Sequence, residues 1–227
     1  MGGSIELKQV WYSQFLAKLY RFALNRVDLI TLRESTSYLN YNKLKVKNEN
    51  CFLTTDLAFL LQPSPMNQGK NILKLEGIEK SEKVLVGMTV TREKASIAYP
   101  SLNDPKKSYI EHVKMLAKVI DQITKEFNAK VLFIPHCIGI ADNLDDRIIA
   151  QEICNHCNNK EDIINITNEY NAQDLKSLLG ELDLFIGERV HSVINAMTMT
   201  TPSILISNTE DQRLDIIRRF WPDRCNL

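Results

Sequence analysis

One short stretch decides the fold class of this chain: LDLFIGERVHSVINA, residues 182–196. Its first part, Leu182–Ile186, is a largely apolar run of the length of a buried strand. A helical pattern of apolar residues then begins at Val190 and continues to Thr198. The charged and polar residues between these segments fall where a strand passes into a helix. The stretch therefore predicts a strand, a polar loop and a helix in direct succession.

Outward from this unit, the same alternation of strands and helices extends over residues 83–227. The predicted strands are Val84–Val90, Lys130–Ile134, Ile163–Ile166, Leu182–Ile186 and Ser203–Ile206. The predicted helices are Tyr109–Phe127, Arg147–Cys157, Asn171–Leu179, Val190–Thr198 and one from about Asp211 to Phe220. Strands that alternate with helices are typical of a parallel sheet with helices on both faces. We therefore predict an α/β fold.

The N-terminal part of the chain predicts a smaller piece of the same kind of sheet. The expected elements are a helix over Gln9–Arg26, a strand over Val27–Leu32, a helix over Ser35–Leu44 and a strand within Asn50–Leu61. Two parallel strands cannot cover both their faces, so we expect that preceding strands are absent from this chain or that another surface covers the sheet. Turn residues mark 63–82 as a linker. The predicted division is 1–62, the trailing part of an N-terminal domain, then the linker, then 83–227, a C-terminal domain.

Composition narrows the classes of protein that this chain can represent. Lys and Arg number 28 and Asp and Glu number 28, so no net charge draws the chain to nucleic acid or an anionic membrane. No apolar run approaches the roughly 18 residues that span a bilayer. Five scattered cysteines favour reduced thiols over a disulfide framework. We therefore expect a cytoplasmic protein without an integral membrane segment and without a nucleic-acid partner.

The loop before the helix at Val190 carries the densest set of reactive side chains. Arg189, His191 and Ser192 lie within four residues of one another, and Glu188 directly precedes them. The N–H groups and the dipole of a helix N-terminus favour an anion. A guanidinium binds phosphate or carboxylate, and imidazole transfers protons near neutral pH. Structural roles are equally open, with Arg189 paired to an acid, Ser192 capping the helix and His191 half-buried.

Two further loops are expected at the same edge of the sheet, because open parallel sheets bind ligands at the carboxyl ends of their strands. His136 follows the strand Lys130–Ile134, and Arg92 follows the strand Val84–Val90. Either side chain can contact a substrate there. For both, packing or ion pairing within the protein is an equally open interpretation.

The remaining patterns indicate structure rather than chemistry. Asp145 and Asp146 flank a helix start, where capping is favoured over ligand contact. Gly87 has no further glycines behind it, so the phosphate-binding fingerprint of dinucleotide-dependent dehydrogenases is missing. Cys154 and Cys157 have no second pair of ligands to complete a metal site. We therefore expect neither a dinucleotide cofactor nor a metal.

Several segments together resemble the polysaccharide pyruvyl transferase family. Residues 182–196 and Thr201–Ser207 are similar to its signature, which has an aspartate before an apolar strand, Arg-x-His, an alanine-bearing helix, a proline and another strand. Four more segments fit in order, namely residues 28–35, 55–61, 86–92 and 133–136 with the aspartate pair at 145–146. The resemblance thus covers nearly the whole chain.

This resemblance implies a GT-B-type architecture of two Rossmann-like domains, of which this chain holds an incomplete N-terminal one. It also implies transfer of a pyruvyl group from phosphoenolpyruvate to two hydroxyls of a surface polysaccharide or its precursor, such as an exopolysaccharide, with formation of a ketal and release of phosphate. The implied scheme needs no metal and no cofactor, and its partners are phosphoenolpyruvate and a carbohydrate acceptor. The implied site residues are Arg189 and His191 for catalysis, and Arg92, His136, Ser192 and Glu188 for substrate binding.

Two other interpretations stay open. A nucleotide-sugar glycosyltransferase or epimerase of GT-B-type fold would use the same helix N-terminus, with Arg and His side chains, for a diphosphate. A shortened, non-catalytic binding or assembly subunit would receive its missing strands from a partner or, as a homo-oligomer, from a second copy. Titration with phosphoenolpyruvate and with nucleotide sugars separates the first two, and the oligomer size addresses the third.

Overall fold

A computed structural model describes residues 2–3, 5, 13–65, 67–79, 82–99, 101–141, 144–207, 211 and 213–219. By its internal contacts the chain divides into two units, residues 1–60 with 209–227 and residues 61–208. Each unit has a parallel sheet of its own, of three strands in the first and five in the second. Within the described residues, none of the helices combines the length and the apolar character needed to cross a membrane.

The helices and strands follow one another in an almost regular alternation. The first unit contributes β1 (Gly2–Gly3), α1 (Ser13–Leu24), β2 (Ile30–Leu32), α2 (Ser35–Lys43), β3 (Cys51–Leu53) and a 3-10 turn at Leu57–Leu60. The second contributes α3 (Gln68–Leu75), β4 (Val84–Thr89), α4 (Lys94–Ala98), α5 (Pro105–Glu126), β5 (Ala129–Phe133), α6 (Asp146–His156), a 3-10 turn at Lys160–Asp162, β6 (Ile163–Asn165), α7 (Ala172–Leu179), β7 (Leu184–Gly187), α8 (Val190–Thr198) and β8 (Ser203–Leu205). The chain ends its described part with α9 (Leu214–Arg218), in the first unit.

The sheet of the second unit has the strand order β6-β5-β4-β7-β8, with every pairing parallel. Its first strand, β4, lies in the middle, and the chain adds β5 and β6 on one side before it adds β7 and β8 on the other. The order therefore reverses between β4 and β7. At such a switch point the loops at the carboxyl ends diverge to opposite faces of the sheet and leave a crevice where ligands bind.

Helices cover both faces of this sheet, as the sequence predicts. Val86 and Met88 of β4 pack with α5 and α6 in one buried cluster. On the other face, a Cβ on Gly187 of β7 would lie 2.6 Å from Val193 Cγ2 of α8. Because successive side chains of a strand point to opposite faces, Ile186 packs with the first cluster while Phe185 and Gly187 face α8. The α/β prediction is confirmed for this unit.

The stretch expected as a linker, 63–82, differs from that expectation because it contains α3. Ser64 N donates to Gln173 O at 3.1 Å, and Lys176 Nζ of α7 donates to Leu61 O at 2.6 Å. A Cβ on Gly69 would lie 2.4 Å from Ser177 O, so α3 packs directly on α7. The glycine that suggests a turn in the sequence is instead the place where two helices approach closely. Residues 61–82 thus belong to the second unit rather than joining two domains.

The first unit has three strands where the sequence predicts two. Gly2 and Gly3 pair with β2, which in turn pairs with β3. The helix near the C-terminus also belongs here, because Ser35 N at the start of α2 donates to Asp215 Oδ2 of α9 at 2.7 Å. The predicted C-terminal domain, 83–227, therefore loses its last helix to the first unit. The GT-B-type arrangement and the incomplete N-terminal domain stay predictions.

Candidate active site

The loop between β7 and α8 lies at the switch point of the five-stranded sheet. The strand ends at Gly187, and Arg189 is the residue that precedes the first turn of α8. Among the described residues no side chain caps this helix. Its first N–H groups are therefore available to an anion.

Arg189 is fixed by an acid from a different loop. Its Nε atom donates to Asp146 Oδ2 at 3.0 Å, and its Nη2 atom donates to Asp146 Oδ1 at 2.7 Å. The carboxylate is 5% exposed and the guanidinium side chain 23% exposed. Burial acts to lower the pKa of Arg189, but the hydrogen bonds and the charge of Asp146 outweigh it and raise the pKa. The guanidinium is thus permanently charged and held in one orientation.

Asp146 also organises the loop after β5. Its Oδ2 atom accepts the N–H of His136 at 3.1 Å and the N–H of Cys137 at 2.9 Å. Of the two aspartates expected as helix caps, Asp145 has that role, since it accepts from Arg147 N at 3.0 Å. Asp146 instead joins the β5 and β7 loops into one structure.

His136 lies beside this pair as a neutral imidazole. Burial lowers its pKa to about 4, Arg189 and His191 act in the same direction, and Asp146 opposes them. The Nδ1 atom is buried and has no hydrogen-bond partner among the described residues. A neutral ring offers one donor and one acceptor. His136 is therefore suited to hydrogen bonding and poorly suited to donating a proton near neutral pH.

His191 lies in the first turn of α8 with an exposed side chain. It is close enough to His136 to influence the pKa of that ring. The structure therefore brings three of the predicted site residues together, namely Arg189, His136 and His191. Of the two histidines, His191 is the more exposed and His136 is half-buried.

Arg92 reaches the same edge from the turn after β4. Its guanidinium carbon lies 4.2 Å above the centre of the Tyr109 ring of α5. The side chain is exposed, and the aromatic face beneath it restricts its orientation. Tyr109 itself is 8% exposed and thus forms a fixed platform.

Glu188 and Ser192, which the sequence predicts as substrate contacts, both have buried side chains that bind other parts of the protein, and their role in substrate binding stays a prediction. Glu188 is 5% exposed, and its carboxylate accepts from Thr91 N at 2.6 Å and lies 3.5 Å from His112 Nε2. Ser192 is fully buried, donates to Arg189 O at 2.6 Å and lies 3.0 Å from Thr89 Oγ1. Both residues hold the β4 and β7 loops together.

The two cysteines at the end of α6 are poor metal ligands. Burial raises the pKa of Cys154 to about 11 and that of Cys157 to about 12. Metal ions bind the thiolate form, so these thiols are protonated at neutral pH. In the part of the chain that the structure describes, no group of three or more His, Cys, Asp or Glu side chains is arranged to hold a metal ion.

Three supporting residues are not evident from the sequence. Asp146 and Arg189 lie 43 positions apart, so no local pattern joins them. His112 and Tyr109 are core positions of an amphipathic helix, and nothing in its periodicity marks them as neighbours of Glu188 and Arg92. Only the aspartate pair at residues 145–146 gives a signal, and it does not indicate which of the two acids faces the site.

Comparison with known proteins agrees with the resemblance seen in the sequence. A sequence profile described as polysaccharide pyruvyl transferase matches residues 1–210. The chain belongs to the polysaccharide pyruvyl transferase family. Arg189, His191 and Arg92 lie within the matched range, and the structure places all three at one edge of the sheet.

This member of the pyruvyl transferase family is similar in sequence to a curated protein, the amylovoran biosynthesis protein AmsJ of Erwinia amylovora. The two sequences are 27% identical over 205 residues, which cover 89% of this chain and 48% of the relative. The chain therefore spans about half the length of the curated relative that it matches.

Proposed function

We propose that this chain transfers a pyruvyl group from phosphoenolpyruvate to two hydroxyls of a sugar in a polysaccharide or its precursor. The methylene carbon of phosphoenolpyruvate gains a proton and becomes a methyl group. Two sugar oxygens then bond to the central carbon as its bond to the phosphate oxygen breaks. The hydroxyl protons leave, and the products are a cyclic ketal and inorganic phosphate. The family of the chain and the name of its relative support a role in polysaccharide biosynthesis.

The observation that carries this proposal is the oriented guanidinium of Arg189 at the uncapped start of α8. Two of its nitrogen atoms, Nε and Nη2, donate to Asp146, and within the described residues its Nη1 atom has no hydrogen-bond partner. A helix N-terminus beside them attracts an anion. Phosphoenolpyruvate carries a carboxylate and a phosphate, two anionic groups of the kind that a guanidinium and a helix N-terminus bind.

The two histidines have different roles in this proposal. His191 has the exposed ring, so we assign it the proton transfer at the methylene carbon. His136 is neutral because burial lowers its pKa to about 4. We assign it a hydrogen bond that positions substrate. The arginines stabilise the negative charge of the bound substrate.

A contact within the protein argues against the nucleotide-sugar alternative. In dinucleotide sites the backbone at the first strand's exit approaches the diphosphate closely. Here the N–H of Thr91, at the exit of β4, already donates to the buried carboxylate of Glu188 at 2.6 Å. A second negative group brought to that N–H would face the charge of Glu188. The site therefore favours a small anion bound on the Arg189 side of the crevice.

The proposal is tested by phosphate release from phosphoenolpyruvate with a panel of sugar acceptors. We expect His191→Asn and Arg189→Ala to abolish release, and His156→Asn, an exposed histidine on α6, to leave it unchanged. Because Arg189→Ala removes the guanidinium that pairs with the buried carboxylate of Asp146, far-ultraviolet circular dichroism is used to check that this variant is folded.

Equal release by the wild type and both site variants would contradict the proposal. Thermal stabilisation by nucleotide sugars and not by phosphoenolpyruvate would favour the glycosyltransferase alternative. Binding of phosphoenolpyruvate without turnover, in a chain that associates with another subunit, would favour a binding role.

A further inference from the structure

We infer that Lys94, the first residue of α4, reaches across the exit of β7 and binds the phosphate group of the substrate. This inference rests on the proposed function and assigns a residue that the sequence analysis does not single out. It follows from the charges at the carboxyl edge of the sheet and from the position of one ammonium group.

Two cations at this edge are already neutralised by carboxylates. Arg189 is held by Asp146 in a two-point contact, and Arg147 pairs with Asp145 at 2.6 Å. A neutral pair attracts a multiply charged anion weakly, because the carboxylate repels what the guanidinium attracts. Phosphoenolpyruvate carries two to three negative charges near neutral pH. The site therefore needs cations that no internal acid compensates.

Two cations of the edge meet this need. Arg92 lies on the ring of Tyr109, and Lys94 Nζ lies 3.3 Å from Ser207 Oγ. Among the residues that the structure describes, neither side chain pairs with a carboxylate. Both are therefore positioned to contact an anionic ligand. Arg92 lies in the turn between β4 and α4, and Lys94 is the first residue of α4.

The contact with Ser207 places Lys94 over the site. Ser207 follows β8, and β7 lies between β4 and β8 in the sheet. The side chain of Lys94 therefore crosses the exit of β7, where the loop with Arg189 begins. The residue is half-buried, and its hydrogen bond to Ser207 is partly buried as well. A ligand on the uncapped start of α8 would meet Arg189 on one side and Lys94 on the other.

Chemistry favours the phosphate as the group that Lys94 contacts. An ammonium is a compact charge with three donors, and it suits a tetrahedral phosphate better than a planar carboxylate. The guanidinium of Arg189, whose Nη1 atom has no hydrogen-bond partner in the described part of the chain, suits the planar carboxylate. Lys94 would then stabilise the charge on the leaving group as its bond to carbon breaks.

The test is calorimetric titration of the whole 227-residue chain with inorganic phosphate, pyruvate and phosphoenolpyruvate. Lys94→Met should weaken binding of phosphate and of phosphoenolpyruvate about tenfold, which corresponds to one charge-assisted hydrogen bond. Pyruvate, which has only the carboxylate, should bind as in the wild type. Lys94→Arg should recover most of the loss, and Lys118→Met, an exposed lysine of α5, should have no effect.

The outcomes separate this inference from the proposed function. If phosphate binds and Lys94→Met weakens it, the inference holds even where phosphoenolpyruvate is not turned over. Unchanged phosphate affinity in folded Lys94→Met overturns it, and so does a loss of pyruvate affinity with phosphate affinity intact. A wild-type chain that binds none of the three anions overturns the inference and the proposed function together.

Discussion

At the scale of single residues, the site depends on a buried acid that serves several donors at once. Asp146 accepts from the side chain of Arg189 and from the N–H groups of His136 and Cys137. The hydrogen bonds from these donors compensate for the burial of the carboxylate. If its charge is removed, the buried donors around it lose their acceptor. The acid therefore contributes to stability and to the orientation of Arg189 at the same time.

Replacing Asp146 by Asn tests its contributions to stability and to the orientation of Arg189, which differ from the helix capping by Asp145. An amide keeps one acceptor oxygen and brings a donor against the donors around it, so we expect a loss of about 2 to 4 kcal/mol in the free energy of unfolding. Affinity for phosphoenolpyruvate should fall about tenfold. Urea denaturation and calorimetry measure the two quantities.

The neighbouring substitution Asp145→Asn is the matched control for this prediction. Asn caps a helix as well as Asp does, and the pair of Asp145 with Arg147 is partly exposed, so less than about 1 kcal/mol should be lost. Equal losses in both variants would contradict the role assigned to Asp146.

His136 predicts a pH dependence of stability. Its pKa is lowered from 6.5 to about 4 by burial, so the unfolded chain gains a proton on this ring at a higher pH than the folded protein does. Stability from the neutral ring is complete above pH 7 and is lost as the pH falls from about 6.5 to 4, by up to about 3 kcal/mol. His136→Asn should flatten this part of the curve in urea denaturation at stepwise pH.

The exposed His156 provides the comparison for the pH curve. His156→Asn should leave the curve unchanged. A wild-type curve that coincides with that of His136→Asn between pH 7 and 4 would show that the ring of His136 is not held neutral by burial.

At the scale of elements, α5 contacts two of the predicted site residues, although the sequence does not predict any residue of α5 near the site. Tyr109 lies beneath the guanidinium of Arg92, and His112 lies 3.5 Å from Glu188, which binds the N–H of Thr91. One helix thus fixes both the turn after β4 and the start of the loop after β7. The position of the arginines depends on this helix as much as on their own loops.

The ring of Tyr109 can be tested by a pair of substitutions. Tyr109→Phe keeps the aromatic face, whereas Tyr109→Leu removes it and should weaken phosphoenolpyruvate binding about two- to fivefold, the value of an exposed cation–π contact. Calorimetry measures both affinities. Equal affinities in the two folded variants would mean that the stacking does not orient Arg92.

At the scale of the whole molecule, the site belongs to residues 61–208, a unit that contains all five strands of the larger sheet. Its N-terminal boundary lies well before the one predicted from the sequence. Lys176, 2% exposed, donates to Leu61 O, and Ile72 of α3 is fully buried. Residues 61–82 therefore complete the fold of this unit.

Two fragments test that boundary. We expect a fragment of residues 61–208 to unfold in one cooperative transition. A fragment of residues 83–208 loses α3 and leaves Lys176 without its acceptor, so it should be less stable by at least about 3 kcal/mol. Urea denaturation compares them, and equal stability would support the boundary predicted from the sequence.

The sequence predicts most strands and helices of this unit, but it does not predict how helices and loops contact one another. The prediction of α8 as Val190–Thr198 is confirmed, because an apolar face repeats every three to four residues there. The helix α3 was missed because Gly69 reads as a turn signal although it permits close packing on α7. The pairing of Arg189 with Asp146 depends on two loops meeting at the sheet edge, which is a property of strand order and not of local pattern.

The most direct test of the account uses Cys137, whose N–H binds Asp146 and whose thiol is near Arg189. Alkylation of Cys137 by iodoacetamide can be followed peptide by peptide, with Cys51 of the first unit as an internal reference. If phosphoenolpyruvate binds at Arg189, it should slow alkylation of Cys137 about fivefold or more at saturation and leave Cys51 unaffected. Unchanged alkylation of Cys137 at saturating phosphoenolpyruvate would contradict the account, because the ligand would then lie elsewhere or not bind.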